Sequence, residues 1–97
     1  MSKAETLLGF ARKAGRLAVG TAATEEAIKR RKAFLAITAS DISEKSSKEI
    51  RFLCEKNNVP FIKPQLDTYE ITNAIGTRAG IIAVLDEGFA KAIAENL

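Results

Sequence analysis

Four short apolar runs recur along this 97-residue sequence, and longer stretches with helical periodicity separate them. The runs are residues 16–19, 34–37, 59–62 and 81–85. Each has the length of a strand, and apolar residues occupy nearly every position, which is typical of strands covered on both faces. Strands that alternate with helices predict an α/β fold, here a three-layer α/β/α sandwich around a four-stranded mixed sheet.

Five amphipathic stretches flank these runs and are predicted to be helices. They cover residues 4–14, 21–32, 43–56 and 68–75, and the segment from residue 86 onward. The residues predicted to cap or stop them are Thr21, Ser43, Asp67, Asp86, Gly15 and Gly76. Phe10 in the first helix and Ala23 in the second are predicted to face the core.

The length and composition indicate one domain, residues 1–97, with room for one modest core. The longest apolar runs have about five residues, far fewer than a membrane span requires. The amino-terminal segment has the pattern of an amphipathic helix and lacks the apolar core and cleavage site of a secretory signal. We therefore expect a cytoplasmic protein with no membrane partner.

The sequence contains one cysteine and no histidine. Cys54 lies on the apolar face of the third predicted helix, so we expect a buried thiol without a catalytic role. Without histidine, the chain has neither a His-containing catalytic triad nor a His-based metal site. The sequence accordingly predicts no catalytic residues, no metal ligands and no cofactor.

Two aspartates keep an enzymatic hypothesis open, that of a small-molecule or nucleotide-binding enzyme. Asp41 and Asp86 each follow a buried strand, where an α/β enzyme can place catalytic groups. Both are interpreted more simply as helix caps. The sequence has neither a GxGxxG nor a GxxxxGK[ST] motif, which the dinucleotide-binding and P-loop classes require. We expect a protein that is not an enzyme.

Charge is distributed unevenly along the chain. Residues 3–32 contain eight basic and three acidic side chains, whereas residues 33–97 contain seven basic and nine acidic ones. A protein with one positive part usually presents that part to a polyanion. The alternative interpretation is ordinary solvated surface charge.

Three segments are predicted to form one binding rim. The first is Gly20 with Thr21, at the beginning of the second helix, where free backbone N–H groups can bind phosphate. The second is the basic run of residues 30–32. The third is residues 76–80, a loop of small residues that carries one cation, Arg78. An ordinary turn is an equally good interpretation of this third segment.

Five motifs, in order, resemble those of a known family. They are LLGFARKAGRLAVG, TAATEEAIKRRKAFLAITASD, CEKNNVPF, NAIGTRAGIIAV and DEGFAKAI. Over almost its whole length the chain resembles the ribosomal-protein superfamily that binds kink-turn RNA, the L-seven-Ae and L-thirty-e superfamily. The first and last motifs are most similar to a bacterial branch of short ribosomal-protein-like chains associated with the transcription-elongation operon. The resemblance implies an α/β/α sandwich that binds folded RNA without catalysis.

The resemblance also implies which positions contact RNA. Gly20 and Thr21 match the start of the RNA-reading motif of the family, but its usual Asn, Glu and Lys are replaced by Ala22, Ala23 and Glu26. Asn and Glu side chains can read guanine edges in sheared G·A pairs, and alanine cannot. The second RNA-facing segment corresponds to Gly76, Thr77, Arg78 and Ala79.

The sequence therefore predicts non-enzymatic binding of structured RNA, either ribosomal RNA or a kink-turn-like element, with ribosomal or transcription proteins as further expected partners. The cations expected to supply the electrostatic field are Lys13, Arg16, Lys29, Arg30, Arg31 and Lys32. The alternative is a protein-interaction module on the same fold that has lost kink-turn recognition. The residues at positions 22, 23 and 26 favour this alternative.

Overall fold

A computed structural model describes all 97 residues and shows five helices that alternate with four strands. The elements are α1 (Lys3–Lys13), β1 (Leu17–Val19), α2 (Thr21–Lys29), β2 (Leu35–Thr38), α3 (Glu44–Asn57), β3 (Phe61–Ile62), α4 (Thr68–Ile75), β4 (Ile81–Val84) and α5 (Glu87–Glu95). The predicted α/β class is confirmed. No helix combines the length and the apolar character that crossing a membrane would require.

The four strands form one mixed sheet with the order β1-β4-β2-β3. Strand β4 runs antiparallel to β1 and β2, while β2 and β3 are parallel. The carboxyl ends of β1 and β2 therefore meet the beginning of β4 at one end of the sheet, which we call the loop end. The opposite end, where β1, β2 and β3 begin and β4 finishes, we call the basic end, after the cations at residues 13, 16 and 30–32.

Helices cover both faces of the sheet. Leu35 and Ile37 of β2 project to one face, where they form a core with residues of α1, α4 and α5. Ala36, between them, projects to the other face and packs with residues of α2 and α3. The same alternation along β4 places Ile82 on the first face and Ala83 on the second. The predicted three-layer sandwich is confirmed, with the larger side chains mostly on the face that carries three helices.

Most of the predicted caps are confirmed. Ser43 Oγ accepts a hydrogen bond from the Ser46 amide at 3.2 Å, and Asp86 Oδ2 accepts one from the Phe89 amide at 2.8 Å. Asp67 forms a complete capping box with its helix. Gly15 and Gly76 have the positive φ angles expected after a helix.

Several boundary and burial predictions are wrong. Thr21 is the first residue of α2 and Gly20 occupies its cap position, while the helix ends at Lys29 and not at residue 32. Ala23 is exposed, because the buried face of α2 follows the i, i+3, i+4 spacing of residues 24, 27 and 28. Phe10 is 54% exposed, since α1 buries its residues 4, 8 and 11 instead. Strand β3 has only two residues.

Cys54 is fully buried, as predicted. Burial, with a smaller contribution from the negative charge of Glu55, raises the pKa of its thiol to about 11. The thiolate, which is the reactive form, is therefore scarce at neutral pH. The side chain serves as a small apolar group in the core beneath α3.

Thr24 is a point of weakness in this core. Its side chain is fully buried, and its Oγ1 has no hydrogen-bond partner. A buried hydroxyl without a partner loses its hydration and gains nothing in return. We expect Thr24→Val, which keeps the side-chain shape, to raise the free energy of unfolding by about 1 kcal/mol, measured by urea denaturation. A lower unfolding free energy would show that the hydroxyl has a partner in solution.

Candidate nucleic-acid interface

Two of the three segments predicted to form a rim meet at the loop end. The Gly20 amide donates to the Ile81 carbonyl at 2.8 Å, which joins the beginning of α2 to the beginning of β4. On the other side of β4, the Ala39 amide donates to the Gly80 carbonyl at 2.7 Å. The loop of residues 76–80 therefore lies between the beginning of α2 and the end of β2.

The amino terminus of α2 is open. Side chains cap α1, α3, α4 and α5, but no side chain accepts a hydrogen bond at the beginning of α2. Gly20, at the cap position, has a φ of 96°, a conformation that glycine adopts without strain. The exposed residues Thr21, Ala22 and Ala23 follow it, and their amides belong to the first turn, which has no acceptors within a helix. Such a terminus attracts anions.

The loop of residues 76–80 is held close to the body of the protein. The Gly76 amide donates to the Thr72 carbonyl at 2.9 Å, and the Ala79 amide donates to the Thr72 hydroxyl at 3.3 Å. Ala79 is buried in the core and Thr77 is partly buried, whereas Arg78 is exposed. Among residues 77–79, then, Arg78 is the one whose side chain extends freely into solvent.

A cleft beside Arg78 was missed by the sequence reasoning. It has a volume of about 330 Å³ and is lined by Thr68, Tyr69, Thr72 and Arg78. Tyr69 is 72% exposed and offers an aromatic face at the rim. The helical pattern carried a signal for it, because Tyr69 falls off the face defined by the buried residues 71 and 75. An exposed aromatic ring beside an arginine can stack on a nucleotide base.

Asp41 does not cap the helix that follows it in sequence, but bonds to the first residue of α4, whose cap residue is Asp67. Asp41 Oδ1 accepts hydrogen bonds from the Thr68 amide at 2.9 Å and from the Thr68 hydroxyl at 2.7 Å, at the beginning of α4. The helix that follows Asp41 is capped by Ser43 instead. The hydrogen bonds from Thr68, led by that of its hydroxyl, lower the pKa of the Asp41 carboxyl below its usual range. Asp41 thereby ties the end of β2 to α4.

This contact predicts a pH dependence at the loop end. Because the pKa of Asp41 is lower in the folded state, its contribution to stability is complete above the ordinary aspartate pKa of about 3.9 and is lost as the pH falls through the lowered value. We therefore expect the urea midpoint of the wild type to fall more steeply below about pH 4 than that of Asp41→Asn. Parallel curves for the two proteins would show that the Asp41 carboxylate is stabilised no more in the folded state than in the unfolded state.

The Lys63 side chain also fixes the segment that follows β2. Its Nζ donates to the Ile42 carbonyl at 2.9 Å and to Ser47 Oγ at 3.0 Å, and it lies 3.5 Å from a carboxylate oxygen of Glu44. These contacts fix the turn between β2 and α3. They also occupy this cation, whereas Arg78 is exposed and has no ion-pair partner.

Five of the six other predicted cations lie at the opposite end of the molecule. The Leu85 amide donates to the carbonyl of Arg16, and the Phe34 amide donates to the carbonyl of Val84, both at 2.8 Å, so the chain around residues 16 and 34 flanks the finish of β4. Helix α2 separates the two ends, and its nine residues span about 13 Å. The prediction of one rim containing both the beginning of α2 and residues 30–32 is wrong. The cations at the basic end are Lys13, Arg16, Arg30, Arg31 and Lys32.

Glu26 forms an ion pair within its own helix. Its Oε1 lies 3.3 Å from Arg30 Nε, and both side chains are about two-thirds exposed. Such an exposed pair contributes little to stability. It does draw Glu26 toward the carboxyl end of α2, away from the open amino terminus. Lys29, the last residue of the helix, is exposed.

The two aspartates behind the enzymatic hypothesis do not form a common site. Asp41 follows β2 at the loop end, whereas Asp86 follows β4 at the basic end, and each accepts hydrogen bonds at a helix start. No group of three or more His, Cys, Asp and Glu side chains is arranged to hold a metal ion. What the geometry offers is an anion-binding helix start beside a loop, a cation and an exposed aromatic ring.

Known proteins are similar to this chain over nearly its whole length. The model of the ribosomal protein L7Ae/L30e/S12e/Gadd45 family matches residues 2–94. A curated relative, the RNA-binding protein YlxQ of Enterococcus faecium, is 34% identical over 89 residues, which are 92% of this chain and 85% of that protein. A solved structure of a protein of unknown function from Bacillus halodurans superposes with a TM-score of 0.92 at 27% identity, covering 98% of this chain and 96% of the other. The resemblance seen in the sequence motifs is confirmed: the chain belongs to the ribosomal protein L7Ae/L30e/S12e/Gadd45 family.

Proposed function

We propose that this protein binds structured RNA at its loop end, without catalysis, as one domain acting in the cytoplasm. The observation that carries the proposal is the uncapped amino terminus of α2 beside the loop of residues 76–80. Family membership and the similarity to a relative named as an RNA-binding protein support it. Ribosomal RNA or a kink-turn-like element is the proposed target.

In the proposed mechanism most contacts of the protein are to the RNA backbone rather than to base edges. The amides of Thr21, Ala22 and Ala23 donate to one phosphate, where the positive end of the helix dipole favours negative charge. Arg78 contacts a second phosphate, and Tyr69 stacks on an unpaired base in the neighbouring cleft. Contacts to phosphate set position and orientation but carry no sequence information, so recognition depends on the shape of the RNA.

The test is a titration against three labelled RNAs at about 0.15 M salt. One carries a kink-turn, one has its G·A pairs replaced, and one is a plain duplex. Thr21→Pro removes the first amide donor, and proline is well tolerated at the first position of a helix. We expect it to weaken binding of the folded RNA about tenfold, the loss of a charged hydrogen bond.

Two control variants separate the amide from other effects. Thr21→Ala removes the side chain and keeps the N–H group, so binding is expected to be retained. Glu87→Pro places proline at the same position of α5, at the basic end, and it is also expected to leave affinity for the kink-turn RNA unchanged. Equal binding by Thr21→Pro and the wild type, with the fold intact, would exclude phosphate binding at this helix start.

The ionic-strength dependence gives an independent readout. With the two phosphate contacts proposed here, the slope of log K against log salt is expected to be about −2. A flat response would contradict binding through phosphates.

A protein-interaction module on the same fold is the second candidate function. Ala22 and Ala23, which cannot read base edges, and the negative charge of Glu26 favour it. Ribosomal or transcription proteins are the partners proposed under this hypothesis. It predicts that none of the three RNAs binds and that charge reversal at Arg30 and Lys32 changes nothing in the RNA titration.

A further inference from the structure

The basic end is a separate charged surface that the proposed RNA site does not use. Five exposed cations gather there, at residues 13, 16 and 30–32. Only Arg30 among them has an ion-pair partner, Glu26 at 3.3 Å. Cations near the ends of α1 and α2 partly complement the helix dipoles, but that effect is confined to the last turn of each helix. Arg16, Arg31 and Lys32 lie beyond both helices.

A groove opens beside one of these cations, Arg31. It has a volume of about 840 Å³ and lies between the chain before β2, the turn before β3 and helix α5. Its lining includes Arg31, Phe34, Asn57, Asn58, Glu87 and Lys91. Phe34 is 42% exposed although it adjoins a fully buried strand. The groove therefore combines an accessible aromatic face with amide groups and positive charge.

The backbone of Arg31 adds an independent observation. Its φ is 59°, in the left-handed region that favours glycine, and its amide donates to the Ile28 carbonyl at 3.2 Å. A residue that served only to end the helix would be more stable there as glycine. Arginine occupies the position despite this conformation, and its side chain lines the groove.

We propose that this groove binds an unpaired RNA strand, with a base stacked on Phe34 and phosphates along Arg31 and Lys32. The inference extends the proposed RNA binding to a second surface. Phosphates follow the arginine side, because Glu87 on the opposite wall repels them and instead accepts hydrogen bonds from base N–H groups. Asn58 donates to base edges, whereas the Nδ2 of Asn57 donates to the Leu53 carbonyl at 2.9 Å. An acidic peptide would use the cations but would leave the aromatic face and the Asn58 amide without a specific role.

The arrangement makes the protein a two-ended RNA binder. The folded element occupies the loop end, and a single strand that leaves it passes to the basic end. Arg16 extends the positive surface, since its strand is two positions from β2 in the sheet, roughly 10 Å away.

The test uses two probes, an eight-nucleotide oligo-uridine and a kink-turn RNA with or without an eight-nucleotide single-stranded extension. We expect wild-type protein to bind the oligonucleotide with shifts of the amide resonances of residues 31–34, and to bind the extended RNA about tenfold more tightly than the unextended one. Phe34→Leu is expected to weaken oligonucleotide binding at least about fivefold through loss of stacking. Arg31→Gly is expected to weaken it similarly while raising the melting temperature, because glycine relieves the left-handed backbone.

The outcomes separate this inference from the proposed function. If Thr21→Pro lowers affinity for the folded element while the gain from the extension persists, both surfaces are supported. If no folded RNA binds but the oligonucleotide still shifts residues 31–34, the loop-end proposal fails and the groove proposal stands. Oligonucleotide binding that is unaffected by Arg31→Gly and Phe34→Leu, or absent, would overturn the groove proposal. So would an oligoglutamate peptide that binds as tightly as the RNA and loses as much affinity in Phe34→Leu.

Discussion

The triple substitution Ala22→Asn, Ala23→Glu and Glu26→Lys is expected to raise affinity for a kink-turn RNA by about 10- to 100-fold. It introduces Asn, Glu and Lys, the residue types that are usual at these positions in the RNA-reading motif of the kink-turn-binding superfamily that the sequence resembles. Each good base contact contributes about 1–3 kcal/mol of discrimination, and contributions of neighbouring residues do not add fully. Positions 22 and 23 are exposed in the first turn of α2, at the proposed interface.

The measurement is a titration of the triple variant and the wild type against kink-turn RNAs with intact and with replaced G·A pairs. Glu26→Lys alone is the matched control. It breaks only an exposed ion pair and is expected to tighten binding of both RNAs modestly and in a salt-sensitive way. Beyond the modest gain that Glu26→Lys gives for both RNAs, the triple variant is expected to gain affinity for the intact kink-turn only. An equal gain for both RNAs would show that the side chains at positions 22 and 23 do not reach bases.

Gly80→Ala is expected to destabilise the protein by about 1–3 kcal/mol, through overpacking at the loop end. A methyl group at this position would lie 2.6 Å from Ile42 Cδ1 and 2.8 Å from Thr68 Oγ1, both closer than packed atoms allow. The Thr68 hydroxyl is held by Asp41, so it cannot yield without losing a 2.7 Å hydrogen bond. Because the clash lies beneath the loop of residues 76–80, RNA affinity is expected to fall as well.

A double-mutant cycle checks the cause. Ile42→Val removes the Cδ1 atom that clashes, so the pair Gly80→Ala with Ile42→Val should be more stable than the sum of the single effects predicts, by at least about 0.5 kcal/mol. Gly88→Ala, in the first turn of α5, is the control for a general effect of removing glycine. Its new methyl group would lie 3.3 Å from one side-chain oxygen, and a small change in stability is expected. Additive single effects would contradict the packing explanation.

The class of the fold could be predicted because its signals are local. Strands buried on both faces show nearly continuous apolar runs, and β2 and β4 are fully buried along their lengths. Ser43, Asp67 and Asp86 bond amides three residues ahead, so their capping roles follow from short spacings in the sequence. The family resemblance could be recognised for the same reason, from motifs that are each continuous in the chain.

The wrong burial predictions concern pairs of adjacent helical positions of which only one is buried. Ala23 and Thr24 are neighbours on α2, and the sequence pattern predicts the apolar residue in the core although the threonine is buried. Phe10 is similar, since its hydrophobicity predicts a core position, whereas α1 buries residues 4, 8 and 11 against α4 and α5. Residue type alone does not indicate which of two adjacent positions faces a neighbouring helix.

The sequence contained enough information for the alternation of helices and strands, the helix caps, the buried cysteine and the family, because each depends on residues within one or two helical turns. The grouping of the charges depended instead on the order β1-β4-β2-β3, which no local pattern specifies. That order brings residues 76–80 beside Gly20 through a hydrogen bond across 61 positions of sequence, from the Gly20 amide to the Ile81 carbonyl. It also leaves the cations at residues 30–32 one helix length away from Gly20, because α2 begins where β1 finishes and runs back to the beginning of β2, at the other end of the sheet.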